Sequence, residues 1–301
     1  MRILRNPAQT PPCVLALGTF DGVHRGHQAL LMRGGELAAA LGAPLAVCTF
    51  EPHPLRVIRP EATPPLLTAL PEKAALMAGF GVDLLCVTSF TAARAAQTPE
   101  DYMEELKRVY RPLAVVCGYN FTFGRAGRGT GETLRQAGFE TVVMPEVTLE
   151  GEAVSSSRVR HALRSGDIAL ASRLMGHAYT LTGVVADGKH IGRTMGFPTA
   201  NVTVPRGKTL PAFGVYACYL EARGAVHPAV VNVGRHPTLP EGAVTVEAHA
   251  LDANLSLYGQ RARLTFLRFQ RPERAFGSVD ELRGQIARDA EECRAWFAAL
   301  G

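Results

Sequence analysis

Short apolar runs alternate with amphipathic stretches through the first half of the chain. The runs predict buried strands at residues 13–18, 43–50, 83–90, 113–118 and 141–145. Stretches of helical periodicity lie between them, at residues 27–41, 71–80 and from 98 to about 110. Because strands that alternate with helices build a parallel sheet covered on both faces, this half predicts a doubly wound α/β domain.

Local signals mark the ends of several of these helices. Pro71 stands where the first position of a helix is expected, and Thr98 with Asp101 three residues later forms an N-terminal cap signal. Gly34 and Gly35 lie inside the first helix, where each costs about 1 kcal/mol relative to alanine. We therefore expect this pair to pack closely against another backbone.

From residue 177 the pattern changes to short β runs separated by turns. They predict a small antiparallel β-barrel, preceded by a helix with Asp167 as N-cap and Gly176 as its stop. A terminal helix begins at a capping box of Ser278 and Glu281. Its apolar residues repeat at three and four and predict a face that packs on the barrel: Leu282, Ile286, Ala290, Cys293, Phe297 and Leu300. The predicted domains are residues 1–177 and 178–301.

Length and composition agree with two ordinary globular domains. The chain has 301 residues, more than a single core usually contains. Six cysteines occur without a CxxC pair, which is typical of buried thiols in a reducing compartment. The N-terminus lacks an apolar signal segment, and no stretch approaches the roughly 18 apolar residues of a membrane span. We expect a cytoplasmic protein without a membrane partner.

The charge raises the question of nucleic-acid binding, since the formal net charge is +5. The basic residues are 28 arginines and four lysines, spread along the chain without a basic block. We therefore expect no nucleic-acid partner. A modest positive field still attracts small polyanions such as ATP.

The segment GTFDGVHRGH, from Gly18 to His27, ends the first strand and opens the first helix. A helix start offers unpaired N–H groups and a positive dipole end, which suit phosphate. The imidazoles of His24 and His27 add hydrogen-bond donors for charge on phosphate oxygens. Ligands of open parallel sheets bind beyond the carboxyl ends of the strands. The loops after residues 18, 50 and 118 are therefore expected to share one rim that holds the active site.

Other sites fit this segment less well. It lacks the GxGxxG of dinucleotide-binding folds, and the GxxxxGK[ST] of P-loop enzymes occurs nowhere in the chain. Zinc bound by His24 and His27 lacks a plausible set of further ligands. Two purely structural histidines are the remaining alternative.

Four ordered motifs resemble a known family. GTFDGVHRGH resembles the first signature of the HxGH nucleotidyltransferases, and SSSRVR at residues 155–160 resembles the second, with Ser157 where threonine is commoner. TFEPHP at residues 49–54 and GYNFTFG at residues 118–124 are similar to the FMN adenylyltransferase module of the bacterial bifunctional riboflavin kinase/FAD synthetases. The resemblance covers the whole chain.

The resemblance implies roles for residues of the first half. His24 and His27 would bind the phosphates of ATP and stabilise the transition state. Asn120 would contact nucleotide phosphate or the metal, and Arg160 would hold the departing β- and γ-phosphates through its planar fork. A solvated helix face is the alternative for Arg160, with Arg158 and Arg164 as competitors. The other implied ATP contacts are Gly18, Phe20, Asp21 and Ser156, and the implied flavin contacts are Phe50, Phe121 and Phe123, the last two being equally compatible with the core.

The barrel contains GKHIGRTMGFPTANV at residues 188–202, which on its own indicates only a flexible basic loop running into a strand. Together with VNVGRHPT and VEAHALD it resembles the riboflavin kinase barrel. The resemblance implies that Thr199 and Asn201 hold Mg²⁺ and ATP phosphates, and that Glu247 is the general base, although Glu247 alone is equally typical of a surface strand. Arg268 would contact flavin, and the loop over ATP would contain Gly188, Lys189, Gly192 and Gly196.

The expected function is two sequential reactions, riboflavin and ATP to FMN, then FMN and ATP to FAD and pyrophosphate. Mg²⁺ is the expected cofactor, the expected partners are riboflavin, FMN and ATP, and the expected state is a monomer or weak homo-oligomer. One alternative is a nucleotidyltransferase of the same superfamily with a different acceptor and an accessory barrel. Another is a flavin- or nucleotide-binding regulatory module without turnover.

Overall fold

A computed structural model describes residues 1–186, 197–235, 244–251, 253, 255 and 257–300. These residues form two compact units, Met1–Ser156 and Ser157–Gly301. Gly188, Lys189, Gly192 and Gly196, the implied ATP loop of the barrel, lie outside the described residues.

The first unit is built on a parallel six-stranded sheet, as the alternating pattern predicts. Its strand order is β1-β4-β3-β2-β5-β8. The strands of this unit are β1 (Arg2–Arg5), β2 (Cys13–Leu17), β3 (Leu45–Glu51), β4 (Leu84–Ser89), β5 (Pro112–Gly118), β6 (Thr122–Phe123), β7 (Gly129–Thr130), β8 (Thr141–Met144), β9 (Thr148–Leu149) and β10 (Glu152–Ala153). The edge strand β1 is largely exposed, and the apolar pattern does not predict it.

The helices of this unit lie between the strands of the sheet. They are α1 (Arg25–Leu41), α2 (Leu55–Ile58), α3 (Leu70–Ala78), α4 (Ala92–Ala96), α5 (Pro99–Glu105) and α6 (Gly131–Gln136). The Thr98 cap is confirmed, since its hydroxyl accepts from Asp101 N at 3.1 Å. The prediction for the two glycines is half right. A Cβ on Gly34 would lie 2.8 Å from the Leu45 side chain, not from backbone, whereas Gly35 faces open space.

Both faces of the sheet are covered by apolar cores. Four cysteines lie in one of these cores: Cys13, Cys48, Cys86 and Cys117. All six cysteines are free and buried, as predicted. Burial raises the pKa of the Cys13 thiol to about 11 and that of Cys86 to about 12, so these thiols stay protonated at neutral pH.

The second unit contains a closed antiparallel barrel, which confirms the second predicted architecture. The strand order around it is β11-β12-β15-β14-β13-β16. Its elements are α7 (Ser156–Arg164), α8 (Ile168–Met175), β11 (Tyr179–Ala186), β12 (Ala200–Val202), β13 (Gly214–Ala222), β14 (Ala225–Arg235), β15 (Val244–Ala250), β16 (Arg261–Pro272) and α9 (Val279–Ala298). Among the described residues, no helix combines the length and apolar character that a membrane crossing requires.

Helix α8 is capped as predicted, because Asp167 accepts from Leu170 N at 2.8 Å and Gly176 ends it with a φ of 73°. The Leu163 carbonyl of α7 accepts from Ala212 N at 2.8 Å, and α8 lies against β11 and β16. The division at residue 177 remains a prediction, and these contacts join the two helices to the barrel.

The terminal helix packs on the barrel, as predicted from its apolar face. Ala290 and Cys293 are buried with Ala217 and Leu251. Leu300 is an exception, with 59% of its surface exposed, because it lies beyond the last helical residue.

Candidate functional site

The loop between β2 and α1 has a tightly wound backbone. Phe20 and Val23 adopt positive φ angles of 51° and 39°, and Gly22 adopts 84°. Such angles are strained for residues with a side chain, typically by about 1–3 kcal/mol each. Gly22 also has no room for a side chain, since a Cβ there would lie 2.7 Å from Leu67 Cδ1. The loop therefore needs outside contacts to keep its shape.

Asp21 provides several of these contacts. Its carboxylate accepts from Leu67 N at 2.9 Å and from Thr68 N at 3.1 Å. Its carbonyl accepts from the Ser156 hydroxyl at 2.8 Å. Phe20 is fully buried and Asp21 is 2% exposed, so both side chains shape the loop. Their contact with ATP, which the resemblance implies, stays a prediction.

The structure brings His24 and His27 together. His24 is the N-cap of α1, and the two ring centroids lie 3.7 Å apart at an interplanar angle of 20°. A Cβ on Gly26 would approach His24 Cε1 to 3.2 Å, so glycine at this position leaves room for the stacked rings. The centroid of the Phe20 ring lies 5.1 Å from that of the His27 ring. Both imidazoles are thus held at the helix start.

The environment of His27 favours the neutral imidazole. Burial lowers its pKa well below the ordinary value, and the nearby charges of His24 and Lys73 act in the same direction. Among the described residues, none forms a hydrogen bond with the buried Nδ1 atom of His27. A proton on Nε2 avoids an unsatisfied buried N–H at Nδ1 and leaves Nε2 as the donor.

We expect the first unit to lose stability between pH 7 and pH 5 because of His27. The pKa of His27 in the folded chain lies below its unfolded value of about 6.5, so the unfolded chain binds a proton first as the pH falls. The contribution of His27 to the free energy of unfolding is complete well above pH 6.5. It decreases by up to about 1.4 kcal/mol per pH unit as the pH falls below this value. Urea unfolding by circular dichroism measures this, while fluorescence of Trp296, the single tryptophan, follows the second unit. A His27→Asn variant with the same pH slope as the wild type would contradict it.

Lys73 is a charged residue of this site that no motif in the sequence marks. It lies on α3, is 8% exposed, and its Nζ donates to the Thr19 carbonyl at 2.6 Å. Lysines are almost never buried this far without a partner. The available signal was that Lys73 precedes the buried Met77 by four residues and so shares its inward face.

The predicted rim is confirmed at the level of the sheet. Strands β3 and β5 flank β2 and run parallel to it, so the loops after all three strands leave the same edge. Phe50 at the end of β3 is partly buried and packs edge-on against Phe90, with ring centroids 5.2 Å apart. Asn120, just beyond β5, is exposed. Asn120 therefore has a side chain that solvent and ligands can reach.

The two phenylalanines after β5 differ in position. Phe123 is 7% exposed, belongs to a buried core cluster and lies 5.0 Å from the Tyr102 ring. Phe121 is only partly buried and stacks on Phe123 at 5.7 Å. Both rings therefore contact the core, Phe123 from within it and Phe121 from its edge, where part of the Phe121 ring stays exposed.

Arg160 lies in the second unit, on α7, and only 6% of it is exposed. The alternative of a solvated helix face therefore does not apply to it. Arg164 is exposed and Arg158 is partly buried. Of the three arginines, Arg160 is the one held by the fold.

In the barrel, Asn201 and Glu247 are directly opposite each other on the neighbouring strands β12 and β15. Opposed residues of an antiparallel pair share a face, with Cβ atoms about 4.5–5.5 Å apart. Asn232 on β14 is opposite Glu247 on its other side, so three strands contribute to one row of polar side chains. All three are partly buried, with Val231, Val233 and Val246 on the opposite face. Asn232 was not predicted as a site residue.

His249 holds the segment that precedes β12. Its Nδ1 lies 2.9 Å from the Pro198 carbonyl, and because a carbonyl only accepts, Nδ1 carries the proton. The Phe197 ring meets the His249 ring edge-on at 5.5 Å. These contacts fix the backbone of the PTAN segment around Thr199, which is partly buried. Arg268 is also partly exposed, and it pairs with Glu292 at 3.2 Å.

Comparison with known proteins gives one family for each half of the chain. The family model of FAD synthetase matches residues 6–158, and that of riboflavin kinase matches residues 175–297. Two relatives are each a bifunctional riboflavin kinase/FMN adenylyltransferase. The one from Escherichia coli K12 is 37% identical over 99% of this chain and 97% of its own length. The one from Listeria monocytogenes is 35% identical over 95% and 93%.

A solved structure has a similar fold over almost the whole chain. The crystal structure of a macrolide-efflux protein from Streptococcus pneumoniae matches with a TM-score of 0.89 and 28% sequence identity. The match covers 98% of this chain and 99% of that one.

Proposed function

Because this chain belongs to the bifunctional riboflavin kinase/FMN adenylyltransferase family, we propose that the stacked pair His24 and His27 carries its FMN adenylylation and that Glu247 carries its riboflavin phosphorylation. The chain is an enzyme of flavin biosynthesis. It converts riboflavin to FMN and then FMN to FAD. The residue roles rest most heavily on one observation, the two imidazoles stacked at 3.7 Å at the start of α1.

In adenylyl transfer, a phosphate oxygen of FMN attacks the α-phosphorus of ATP, and pyrophosphate leaves. The first-turn N–H groups of α1 and the Nε2 donors of the histidines would face the charge that builds on the phosphate oxygens. Positioning and charge stabilisation suffice for this chemistry, since no covalent intermediate with the protein is needed. The exposed side chain of Asn120 and the partly buried ring of Phe121 are further candidates for ligand contact. Gly18 and Ser156 complete the proposed ATP site, and Arg160 is proposed to hold the pyrophosphate.

In riboflavin phosphorylation, the ribityl 5′-hydroxyl attacks the γ-phosphorus of ATP, and ADP leaves. Glu247 would take the proton of that hydroxyl. Its place between Asn201 and Asn232 keeps the carboxylate beside polar groups on one face of the barrel. Arg268 remains a proposed flavin contact.

The donor set fits a divalent metal ion, which we propose to be Mg²⁺. The side chains of Thr199 and Asn201 supply hydroxyl and amide oxygens, the hard donors that Mg²⁺ takes together with phosphate oxygens. Among the described residues, no cluster of three or more histidine, cysteine, aspartate or glutamate side chains forms a metal cage. When bound, the ion would neutralise charge on the transferred phosphoryl group.

Incubation with ATP, Mg²⁺ and riboflavin, followed by chromatography, tests the activities together. FMN and then FAD are expected. Riboflavin that stays unmodified and free would favour a nucleotidyltransferase with another acceptor, and riboflavin recovered unmodified but bound to the protein would favour a binding module. The proposed partners are these small molecules, and the buried free thiols support action in the reducing cytoplasm.

A further inference from the structure

Lys73 belongs to a short segment that is tied to the histidine loop at several points. Nζ of Lys73 donates to the Thr19 carbonyl at 2.6 Å, and the Thr49 hydroxyl donates to the same oxygen at 3.0 Å. Just before α3 begins, Leu67 N donates to the Asp21 carboxylate. Gly22 N in turn donates to the Thr68 hydroxyl at 3.0 Å. The start of α3 therefore holds the loop from Thr19 to Gly22 on both of its sides.

A buried ammonium in this place has an electrostatic cost. Burial lowers the pKa of Lys73, while the charges of Asp21 on the loop and Glu51 on β3 act in the opposite direction. His27 faces the ammonium from α1, and His24 lies beside His27. A methionine would fill similar space at this position without that cost. Packing alone therefore does not explain why position 73 has a charged side chain.

We propose that Lys73 is a positioning residue for adenylyl transfer, whose ammonium fixes the Thr19 carbonyl and so holds the strained turn through Phe20 and Val23 that aims His24 and His27. The inference rests on the proposed function of the two histidines. The turn has two non-glycine residues at positive φ and begins one residue after Thr19. A contact at Thr19 thus sets the direction in which the backbone enters the turn.

The same geometry gives Lys73 an electrostatic effect on His27. Its positive charge adds to burial and to the charge of His24 in keeping the pKa of His27 low. Removal of the ammonium raises the pKa of His27. We expect the acid limb of the pH profile of adenylylation to move to higher pH in such a variant. A role of Lys73 in packing alone would not move this limb.

Lys73→Met and Lys73→Arg test the proposal in the full chain. Lys73→Met is expected to lower kcat for FMN adenylylation about 10- to 100-fold and to shift the acid limb upward. Lys73→Arg, which keeps the charge and a donor, is expected to recover at least part of kcat and the wild-type limb. Lys107→Met, at an exposed lysine of the same unit, is the matched control. Riboflavin phosphorylation on the same chains checks that each variant is otherwise intact.

Lys73→Gln replaces Lys73→Met if the methionine variant does not fold. A neutral variant that keeps kcat within twofold of wild type overturns the proposal, as does a loss of activity without movement of the acid limb. If neither Lys73→Met nor Lys73→Gln folds, the proposal is also overturned, because Lys73 would then serve only the stability of the fold. His27→Ala, measured in parallel, separates a failure of the Lys73 proposal from a failure of the proposed function. Adenylylation retained in His27→Ala contradicts the proposed function itself, not only the role of Lys73.

Discussion

Replacement of His27 by alanine is expected to abolish FMN adenylylation and to leave riboflavin phosphorylation nearly intact. The imidazole is the member of the stacked pair that lies within the first turn of α1, where the helix N–H groups also point. Alanine leaves those backbone donors in place and removes the Nε2 donor together with the ring that stacks on His24. Loss of a single preorganised donor typically costs about 10²–10³ in kcat. The expected loss is larger here because His24 also loses its stacking partner.

Two assays on the same preparation measure the effect. FAD formation from supplied FMN and ATP reports the first activity, and FMN formation from riboflavin and ATP reports the second. Met32→Ala, at an exposed position of the same helix, is the control for general damage to α1. A His27→Ala chain that forms FAD at the wild-type rate would show that the histidines have a structural role. It would contradict the assignment of His24 and His27 to FMN adenylylation.

Glu247→Gln is expected to lower riboflavin phosphorylation by about 10²–10⁴-fold, the usual contribution of a general base. Glutamine preserves the shape and the hydrogen-bonding reach of the side chain between Asn201 and Asn232. It removes only the ability to accept a proton. The effect should therefore appear in kcat, with little change in the affinity for ATP.

FAD formation from supplied FMN should stay at the wild-type rate in this variant. Glu221→Gln is the matched control, because Glu221 lies on β13 of the same barrel and pairs with the exposed Arg263. If Glu247→Gln phosphorylates riboflavin normally, the base lies elsewhere, and the row of polar residues across β12, β15 and β14 has another role.

The sequence predicted most of the sheet because its strands are buried on both faces. Such strands are short continuous apolar runs, and β2, β3, β4 and β5 are all of this kind. The edge strand β1 escaped because three of its four residues are exposed. The motif predicts a phosphate site at the start of α1, where the structure places the two stacked rings. Phosphate binding there stays a prediction.

What the sequence could not give is the set of contacts between segments far apart in the chain. The bond from Lys73 to Thr19 joins residues 54 positions apart, and a lysine near a helix start is typical of a solvated surface. The hydrogen bonds from the backbone of residues 67 and 68 to the Asp21 carboxylate, 46 and 47 positions away, are likewise not predicted. The pairing of Asn201 with Glu247 depends on strand order around the barrel, which alternation along one strand does not determine.

The shortness of β12 has a consequence for insertions and deletions. This strand has three residues, and Asn201 is its middle one. Because side chains alternate between the two faces of a strand, loss of one residue beside Asn201 would turn its amide away from Glu247. The turn at Arg223 and Gly224, which joins β13 to β14 at positive φ, lies outside the polar row and should accept an added residue. Changes in chain length are thus expected to be tolerated at the turn between β13 and β14 and to disable phosphorylation within β12.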